Sequence, residues 1–284
     1  MKSIGVLARM TFQEAIRRRI VLTGLVLGIL FLILFSIGSH MISIEIEREA
    51  TVEGGAAYRN VMRTEMSNFL LMAGLYAVTF LSVAMGALLG ADTLAGEINS
   101  GSIQTILTKP IRRSDVVFGK WLGFAGLLGL YAVLMAGGVV LIVFFQSDYI
   151  PRNMLTGLSL IYLESLLVMT ISLAGSSAMP ALATGGMVFG LYGLAFLGGW
   201  IEQIGSLANI PAAVRIGIVT SLVVPTEALW RRAAYEMQTP LASTIGISPF
   251  GAFSVPSLLM IVYAILYLVV TLVIAVNTFQ HRDI

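Results

Sequence analysis

The sequence contains no cysteine, which excludes disulfides, thiolate metal sites and a cysteine nucleophile. Charge is almost as scarce. Of 284 residues, 11% are Asp, Glu, Lys or Arg and 57% are hydrophobic, whereas about a quarter of a soluble domain is charged. Much of the surface must therefore face something other than water. Only two histidines occur, His40 and His281. They lie far apart and are expected on opposite sides of a membrane, so they form no metal pair. A phosphate-cradling G-x-x-x-x-G-K-[ST] run is also missing, since Gly119-Lys120 is followed by Trp121. No Ser-His-Asp set, paired catalytic carboxylates or H-E-x-x-H run is present, so no enzyme chemistry is expected. A cleavable signal peptide is not evident. The first apolar run follows Arg17, Arg18 and Arg19, but it is long and lacks a small-residue cleavage site.

What is abundant is long charge-free sequence. A span needs about 20 apolar residues to cross a core roughly 30 Å thick. Such runs occur at Ile20 to Ile44 (core Val21 to Ile37), between Glu65 and Asp92 (core Phe69 to Leu89), and at Trp121 to Phe145. The stretch from Leu155 to Ile201 is too long for one crossing. Gly175, Ser176, Ser177 and Pro180 divide it into Leu155 to Ala174 and Leu182 to Ile201. The last run is Leu258 to Asn277. The reading is an all-α integral membrane protein with six transmembrane helices in one transmembrane domain over 1–284.

Six crossings put both termini on one side. Basic residues choose the side. With the termini cytoplasmic, the inner segments hold Lys2, Arg9, Arg17, Arg18, Arg19, Lys109, Arg112, Arg113, Lys120 and Arg282. The outer ones hold Arg48, Arg59, Arg63, Arg152, Arg215, Arg231 and Arg232, and the acidic cluster Glu45, Glu47, Glu49 and Glu53 joins them. The net charge is +2. Because the bases crowd membrane edges, they are topology signals and not a nucleic-acid patch.

The first 19 residues read as an amphipathic interfacial helix. Ile4, Leu7, Ala8, Thr11, Phe12 and Ala15 share one face, and Glu14 is placed to pair with Arg18. An ordinary basic flank is the alternative. Residues 202–256 hold an apolar run, Arg215 to Pro225, too short to cross, followed by Glu227, Trp230, Arg231 and Arg232. This reads as an outer-side partial helix pair held against the protein; a seventh crossing, which would put the C-terminus outside, is the alternative.

The longest inner loop, 92–120, is patterned and not a linker. Gly101 is placed to end the helix continuing from the second span. Ser102 is placed to cap a short helix, Ile103 to Thr108, with Ile103, Ile106 and Leu107 on one face. Pro110 pushes Lys109 to an extended conformation and stops it. Ser114 is placed to cap the helix that enters the third span. By physics alone, this short helix either docks a partner or packs on the membrane surface as a plain connection.

As a block, Glu97, Gly101-Ser102-Ile103, Ile106-Leu107, Lys109-Pro110-Ile111, Arg113 and Gly119-Lys120 resemble the first cytoplasmic loop of the ABC transporter type-2 permease family. The basic N-terminal helix, the six spans and Pro225-Thr226-Glu227 extend the resemblance more weakly. The most similar subgroup includes the permease of the nitrous oxide reductase maturation system. The resemblance implies a permease in the cell inner (plasma) membrane that pairs with a second copy of itself. Two copies of a separate ATPase would bind ATP and Mg, and the permease itself would hold no cofactor. Glu97, Gly101, Ser102, Ile103, Ile106, Leu107, Lys109 and Pro110 would form the coupling helix that docks in a groove of that ATPase. An apolar face with charged ends suits such a groove.

Other residues invite two readings each. Glu164 is the one acidic residue inside an expected span. It is either a pathway or coupling residue or a packed, hydrogen-bonded glutamate. Pro225 and Glu227, with Trp230, Arg231 and Arg232, either gate the translocation path or anchor the protein at the interface. In the anchor, Trp230 sits at headgroup depth and the arginines face solvent. The 14 methionines read as core filler. Gly126, Gly129, Gly137 and Gly138, and Gly185, Gly186, Gly190 and Gly193, allow close helix packing.

Three functions are therefore weighed. The first is the permease subunit of an ATP-driven exporter. The second is a secondary transporter or channel that uses Glu164 as its ion site, although no internal repeat of spans is visible. The third is a non-transporting membrane assembly factor, with a periplasmic partner at residues 45–65.

Overall fold

The computed structural model describes residues 2–53, 56–99, 112–245, 250 and 254–282, and the described residues include helices but no strand. In chain order these are α1 (Lys2–Ile16), α2 (Arg19–Glu53), α3 (Ala56–Ala91), α4 (Thr93–Asn99), α5 (Arg113–Ser147) and α6 (Met154–Ala178). They continue as α7 (Ala181–Leu207), α8 (Pro211–Val223), α9 (Thr226–Met237), α10 (Pro240–Ile245) and α11 (Leu258–Gln280). Six helices, α2, α3, α5, α6, α7 and α11, are long and apolar enough to cross a membrane. They match the six expected spans.

Boundaries differ where local chemistry overrides hydropathy. The second apolar segment ends near Asp92, but α2 and α3 run 35 and 36 residues. At 1.5 Å per residue, each is about 50 Å long, well beyond a core roughly 30 Å thick. Both therefore project from the face away from the termini. Glu and Arg are good helix formers in water, and Glu45 and Arg48 approach to 3.9 Å across one turn there. Gly175, Ser176 and Ser177 do not form the expected turn. Helix α6 continues to Ala178, and Met179 and Pro180, both extended, make the break instead. The Ser176 and Ser177 hydroxyls donate to the carbonyls of Leu173 and Ala174, so they serve the helix. Ser114 is likewise inside α5, whose N-cap is Arg112, with no side-chain cap bond.

Spans α3, α5 and α6 form the centre, with Leu71, Leu75, Leu128, Met135, Leu167 and Val168 fully buried or nearly so. Bare backbone sets the closest approaches. A Cβ on Gly90 would stand 2.5 Å from the Cβ of Ser172 and 2.8 Å from the Met169 carbonyl. The Ser172 hydroxyl donates to the Ala87 carbonyl at 2.5 Å. Gly86 and Gly90, one turn apart, thus let α3 lie against α6 with polar groups paired inside the membrane.

Helix α1 forms, and its expected apolar face packs on α5, with Thr11 and Ala15 buried. A Cβ on Gly119 would stand 2.5 Å from Leu7, and one on Gly123 would stand 2.7 Å from the Ala8 carbonyl. Ala15 is fully buried, and Arg18 donates to Glu14 at 2.8 Å.

The termini meet at one face. The Ser3 hydroxyl donates to Asp115 at 2.8 Å, Arg113 donates to the Arg282 carbonyl at 2.8 Å, and Arg282 donates to the Ser177 carbonyl at 2.7 Å. Both chain ends therefore lie beside the start of α5, and six crossings satisfy that closure.

Candidate functional site

Helices α8 and α9 are joined through Val224-Pro225 and bend by 107°. Their neighbours show a re-entrant hairpin and not a seventh crossing. Along α8, Ala213 meets Gly205 of α7, Gly217 meets Glu202, and Thr220 meets Gly198. Helix α8 thus runs antiparallel to α7, inward from the far face. Helix α9 climbs back out along α6, where Met237 meets Gly157 and Asn153 donates to Glu236 at 2.9 Å. Pro225 provides the sharp turn because it cannot donate to a continuing helix. Gly199 stands two turns from the end of α7, so the hairpin tip lies about 12 Å deep.

The hairpin is fastened by buried charge. Arg231 of α9 meets Glu202 of α7 in a two-pronged pair, Nη1 to Oε1 at 2.6 Å and Nη2 to Oε2 at 2.9 Å. Fork-to-fork geometry of this kind fixes orientation as well as energy. Each partner also reaches a hydroxyl, while Arg231 Nε has no hydrogen-bond partner among the described residues. Ser254 donates to Glu202 at 2.7 Å, and Arg231 also reaches the Ser221 hydroxyl of α8 at 3.3 Å. Thr239 donates to Glu65 at 2.7 Å, tying the hairpin exit to α3. Arg232 pairs with Glu236 one turn on.

This overturns the interfacial anchor. Trp230 is 1% exposed and Arg231 is 1% exposed, so neither faces headgroups or solvent. The tryptophan ring packs instead on Tyr76 of α3 at 4.8 Å between centroids, and Tyr76 stacks in turn near Phe250 at 5.6 Å. The reason is the re-entry: the segment reads as amphipathic, but its polar face meets Glu202 and not water.

Glu164 of α6 and Glu227 of α9 both lie in this interior. Both are buried side chains, one on α6 and one at the tip of the hairpin that α9 shares with α8. Glu227 lies flat over Gly199 and is 2% exposed. Glu164 is fully buried, and neither of its carboxyl oxygens has a hydrogen-bond partner among the described residues. It is not the sole intramembrane acid that the sequence led us to expect. Glu202 and Glu227 join it, because α7 continues past Ile201 and the hairpin dips inward.

Tyr76 and Tyr192 also line a groove of about 580 Å3 between α2 and α7, floored by α3, with Leu30, Leu34, Ala77 and Phe80 among its walls. At volumes of several hundred Å3, a groove accommodates a small molecule.

Of the expected site residues, Pro225 and Glu227 thus sit at the hairpin tip, and Glu164 is buried on α6. The backbone of Glu97 lies in α4, while Gly101, Ser102, Ile103, Ile106, Leu107, Lys109 and Pro110 lie outside the described residues. Helix α4 itself is packed inward. Its Leu94 is fully buried with Val117 of α5, Leu173 of α6 and Phe279 of α11. Sequence reasoning missed the Glu202–Arg231 pair and the two tyrosines. The available signal was an acid and a base flanking a Pro-interrupted apolar segment, the pattern that marks irregular backbone around a cavity.

No curated protein sequence matches the chain. The sequence model of one family, described as ABC-2 family transporter protein, matches residues 6–284, nearly the whole length. With six spans, a re-entrant hairpin at one face and both termini at the other, the chain belongs to the ABC-2 transporter family.

Proposed function

We propose that this membrane permease subunit of an ABC transporter is the translocating half of an ATP-driven exporter. It works as a homodimer in the cell inner membrane with two copies of a separate ATPase that binds ATP and Mg. The ATPase docks at loop 92–120, on the face that carries both termini. That face is cytoplasmic in this reading, as the excess of basic residues there favours.

One observation carries the proposal. The entry to the loop, α4, is buried through Leu94 against Val117, Leu173 and Phe279. Force applied to the loop would therefore reach the ends of three spans at once. Loop residues Glu97, Gly101, Ser102, Ile103, Ile106, Leu107, Lys109 and Pro110 serve as the coupling segment in this reading. Pairing of two permeases is supported by the fifth span. Gly185, Gly186, Gly190 and Gly193 of α7 have no side chain or neighbouring backbone within 4 Å. Small residues of this kind let two helices approach closely in a membrane. Pro225 and Glu227 sit at the hairpin tip, where they would gate the path on the exit side.

The test is co-purification from native membrane. An ATPase is expected to travel with the intact chain and to be lost on deletion of residues 98–110 or on Ile103→Asp, while the permease alone hydrolyses no ATP. Retention of the ATPase and of its transport-linked hydrolysis in the deletion variant overturns the reading.

The burial of Glu164 with no hydrogen-bond partner among the described residues favours a second reading, an ion-gradient transporter. Transport in ATP-free vesicles that is abolished by Glu164→Gln would select it. A non-transporting assembly factor is the reading left if neither an ATPase nor a gradient moves any cargo and a periplasmic partner binds residues 45–65.

A further inference from the structure

At the face away from the termini, a polar pocket of about 220 Å3 lies between the outer part of α3 and the end of α5. Asn60, Arg63 and Thr64 form one wall, and Ser147, Asp148 and Tyr149 form the other. The hydroxyls are engaged. Thr64 donates to the Asn60 carbonyl at 2.9 Å, Ser147 to the Val143 carbonyl at 2.8 Å, and Tyr149 to Asn68 at 3.1 Å. The two charges are not. Neither the Arg63 nor the Asp148 side chain makes a hydrogen bond or ion pair among the described residues, with each other or with any neighbour. The pocket therefore presents a base on one wall and an acid on the other. Asp148 is held there by its backbone. It caps α5 in the left-handed region, at φ 53°, and its N–H donates to the Phe144 carbonyl. An acid at that position stands at the negative pole of the helix, beside carbonyls with no further turn to satisfy them. Carboxylate and carbonyls together attract a cation that carries N–H donors. The sequence sets the depth. Asp148 is the first charge beyond the charge-free run Trp121 to Phe145, and Arg63 lies two residues outside the run that starts after Glu65. Charges that flank a run of hydrocarbon length sit at headgroup depth.

We propose that this pocket binds a phosphoethanolamine group, the head of a phosphatidylethanolamine in the leaflet at that face. Its phosphate rests on the Arg63 guanidinium, whose planar donors match phosphate oxygens. Its ammonium rests on the Asp148 carboxylate and the last carbonyls of α5. The same zwitterion occurs free as glycerophosphoethanolamine, and the depth of the pocket favours the lipid. Related groups fit less well. A phosphocholine head has no N–H to give the carboxylate and the carbonyls. An anionic head satisfies Arg63 but leaves Asp148 without a cation. A bare calcium-like ion asks for about six to eight oxygen ligands, and the lining holds one carboxylate. The pocket is smaller than the sites of drug-sized ligands, which run to about 300–1,000 Å3, and its size suits a headgroup. The inference goes beyond the exporter reading and does not depend on it, since it concerns neither the ATPase nor the cargo.

The experiment weighs one lipid against another on the purified full chain. Native mass spectrometry reads what is retained from an equimolar mixture of phosphatidylethanolamine, phosphatidylcholine and phosphatidylglycerol with matched acyl chains. Phosphatidylethanolamine should be retained about tenfold over either of the others, the scale of one charge-assisted hydrogen bond. Asp148→Asn should bring the three to parity. Asparagine also tolerates the left-handed region, so the end of α5 keeps its shape. Arg63→Gln should lower retention of phosphatidylethanolamine. Arg215→Gln, at an exposed base of α8 that does not line the pocket, should change nothing. Thermal melts of each variant separate lost binding from lost fold, and if Arg63→Gln unfolds, Asp148→Asn decides. A second arm identifies the source. Soluble glycerophosphoethanolamine is titrated by calorimetry onto the chain in phosphatidylcholine nanodiscs. Saturable binding that Asp148→Asn abolishes, without retained phosphatidylethanolamine, would keep the group and assign it to the free compound. Equal retention of the three lipids by the wild type, with no binding of the soluble compound, overturns the proposal. So does a preference that survives Asp148→Asn, one that Arg215→Gln removes as well, or retention that a folded Arg63→Gln leaves unchanged.

Discussion

Glu227 lies against the bare backbone of Gly199, where any side chain would overlap its aliphatic carbons. The contact sets how deeply the tip of the re-entrant hairpin seats on α7, and with it the distance of the Glu227 carboxyl from Glu164. Gly199 is thus a spacer that the fold cannot enlarge. Gly199→Ala should destabilise the protein by about 1–3 kcal/mol, the usual cost of overpacking a filled core, and Gly199→Val should cost more. Gly193→Ala, two turns away with nothing within 4 Å, should leave stability unchanged in the isolated protomer. Thermal unfolding in detergent measures both. Equal effects at the two positions would mean that the hairpin does not seat on Gly199.

The second expectation concerns the pair that fastens the hairpin. Glu202 and Arg231 are nearly sealed from solvent, with side chains 5% and 1% exposed. Removing one partner leaves the other charge buried alone, which costs about 3–5 kcal/mol. Glu202→Met and Arg231→Met should each approach that figure. The double variant should recover most of the loss, because apolar replacement of a whole buried pair is often nearly neutral. Ser254→Ala removes one hydrogen bond to the carboxylate and should cost about 1.5–3 kcal/mol. A double-variant cycle by chemical or thermal unfolding yields the coupling. Additive single losses would show that the two side chains act separately.

The number and order of the spans were legible because runs of about 20 apolar residues carry their own signal. The apolar face of α1 was legible for the same kind of reason, helical spacing of Leu7, Ala8 and Thr11. What the face covers was not. Gly119 and Gly123 accept α1 through missing side chains, and an absent atom has no periodicity. The hairpin at α8 and α9 was legible as a run too short to cross but not as a re-entrant tip. Its depth depends on Gly198, Gly199 and Gly205 of the preceding helix, and bare backbone gives no apolar pattern to read. For the same reason Arg231 read as a solvated interface base. Only the fold brings Glu202 within 2.6 Å of it. The candidate site was half visible: Glu164, Pro225 and Glu227 stood out as misfits in apolar surroundings, while Tyr76 and Tyr192 look like ordinary membrane aromatics until the groove places them.

The re-entrant path makes a topological prediction that the cysteine-free sequence makes easy to check. Ala208, before α8, and Leu241, after α9, are both exposed. In a hairpin that dips and returns, they open on the same side of the membrane. Single variants Ala208→Cys and Leu241→Cys should both react with a membrane-impermeant maleimide added to that side, and neither should react from the other. Labelling from opposite sides would convert α8 and α9 into a broken seventh span. It would also separate the termini, against the contacts that hold them together.

Those contacts give the last expectation. Arg113 at the start of α5 donates to the carbonyls of Phe279, Gln280 and Arg282 at 3.5, 3.2 and 2.8 Å. The first two are carbonyls at the end of α11, which have no further turn of helix to satisfy them, and Arg282 lies just beyond it. All three contacts come from Nη1, whose two hydrogens they share, and a lysine ammonium is a point charge on a stem one bond shorter. Arg113→Ala should leave the spans folded but fray the end of α11. Amide exchange at Phe279 to Arg282 should rise about tenfold, in line with charged hydrogen bonds worth about 1.5–3 kcal/mol. Arg113→Lys should restore only part of the protection. Exchange mass spectrometry in nanodiscs reads both variants, with the α3 and α6 cores as internal controls. Because Arg282 in turn donates to the Ser177 carbonyl at 2.7 Å, the released tail should also expose the α6–α7 turn at Met179 and Pro180. Fraying confined to α11, with that turn still protected, would show that Arg113 holds its own helix end and does not tie three spans together at the face from which the loop emerges.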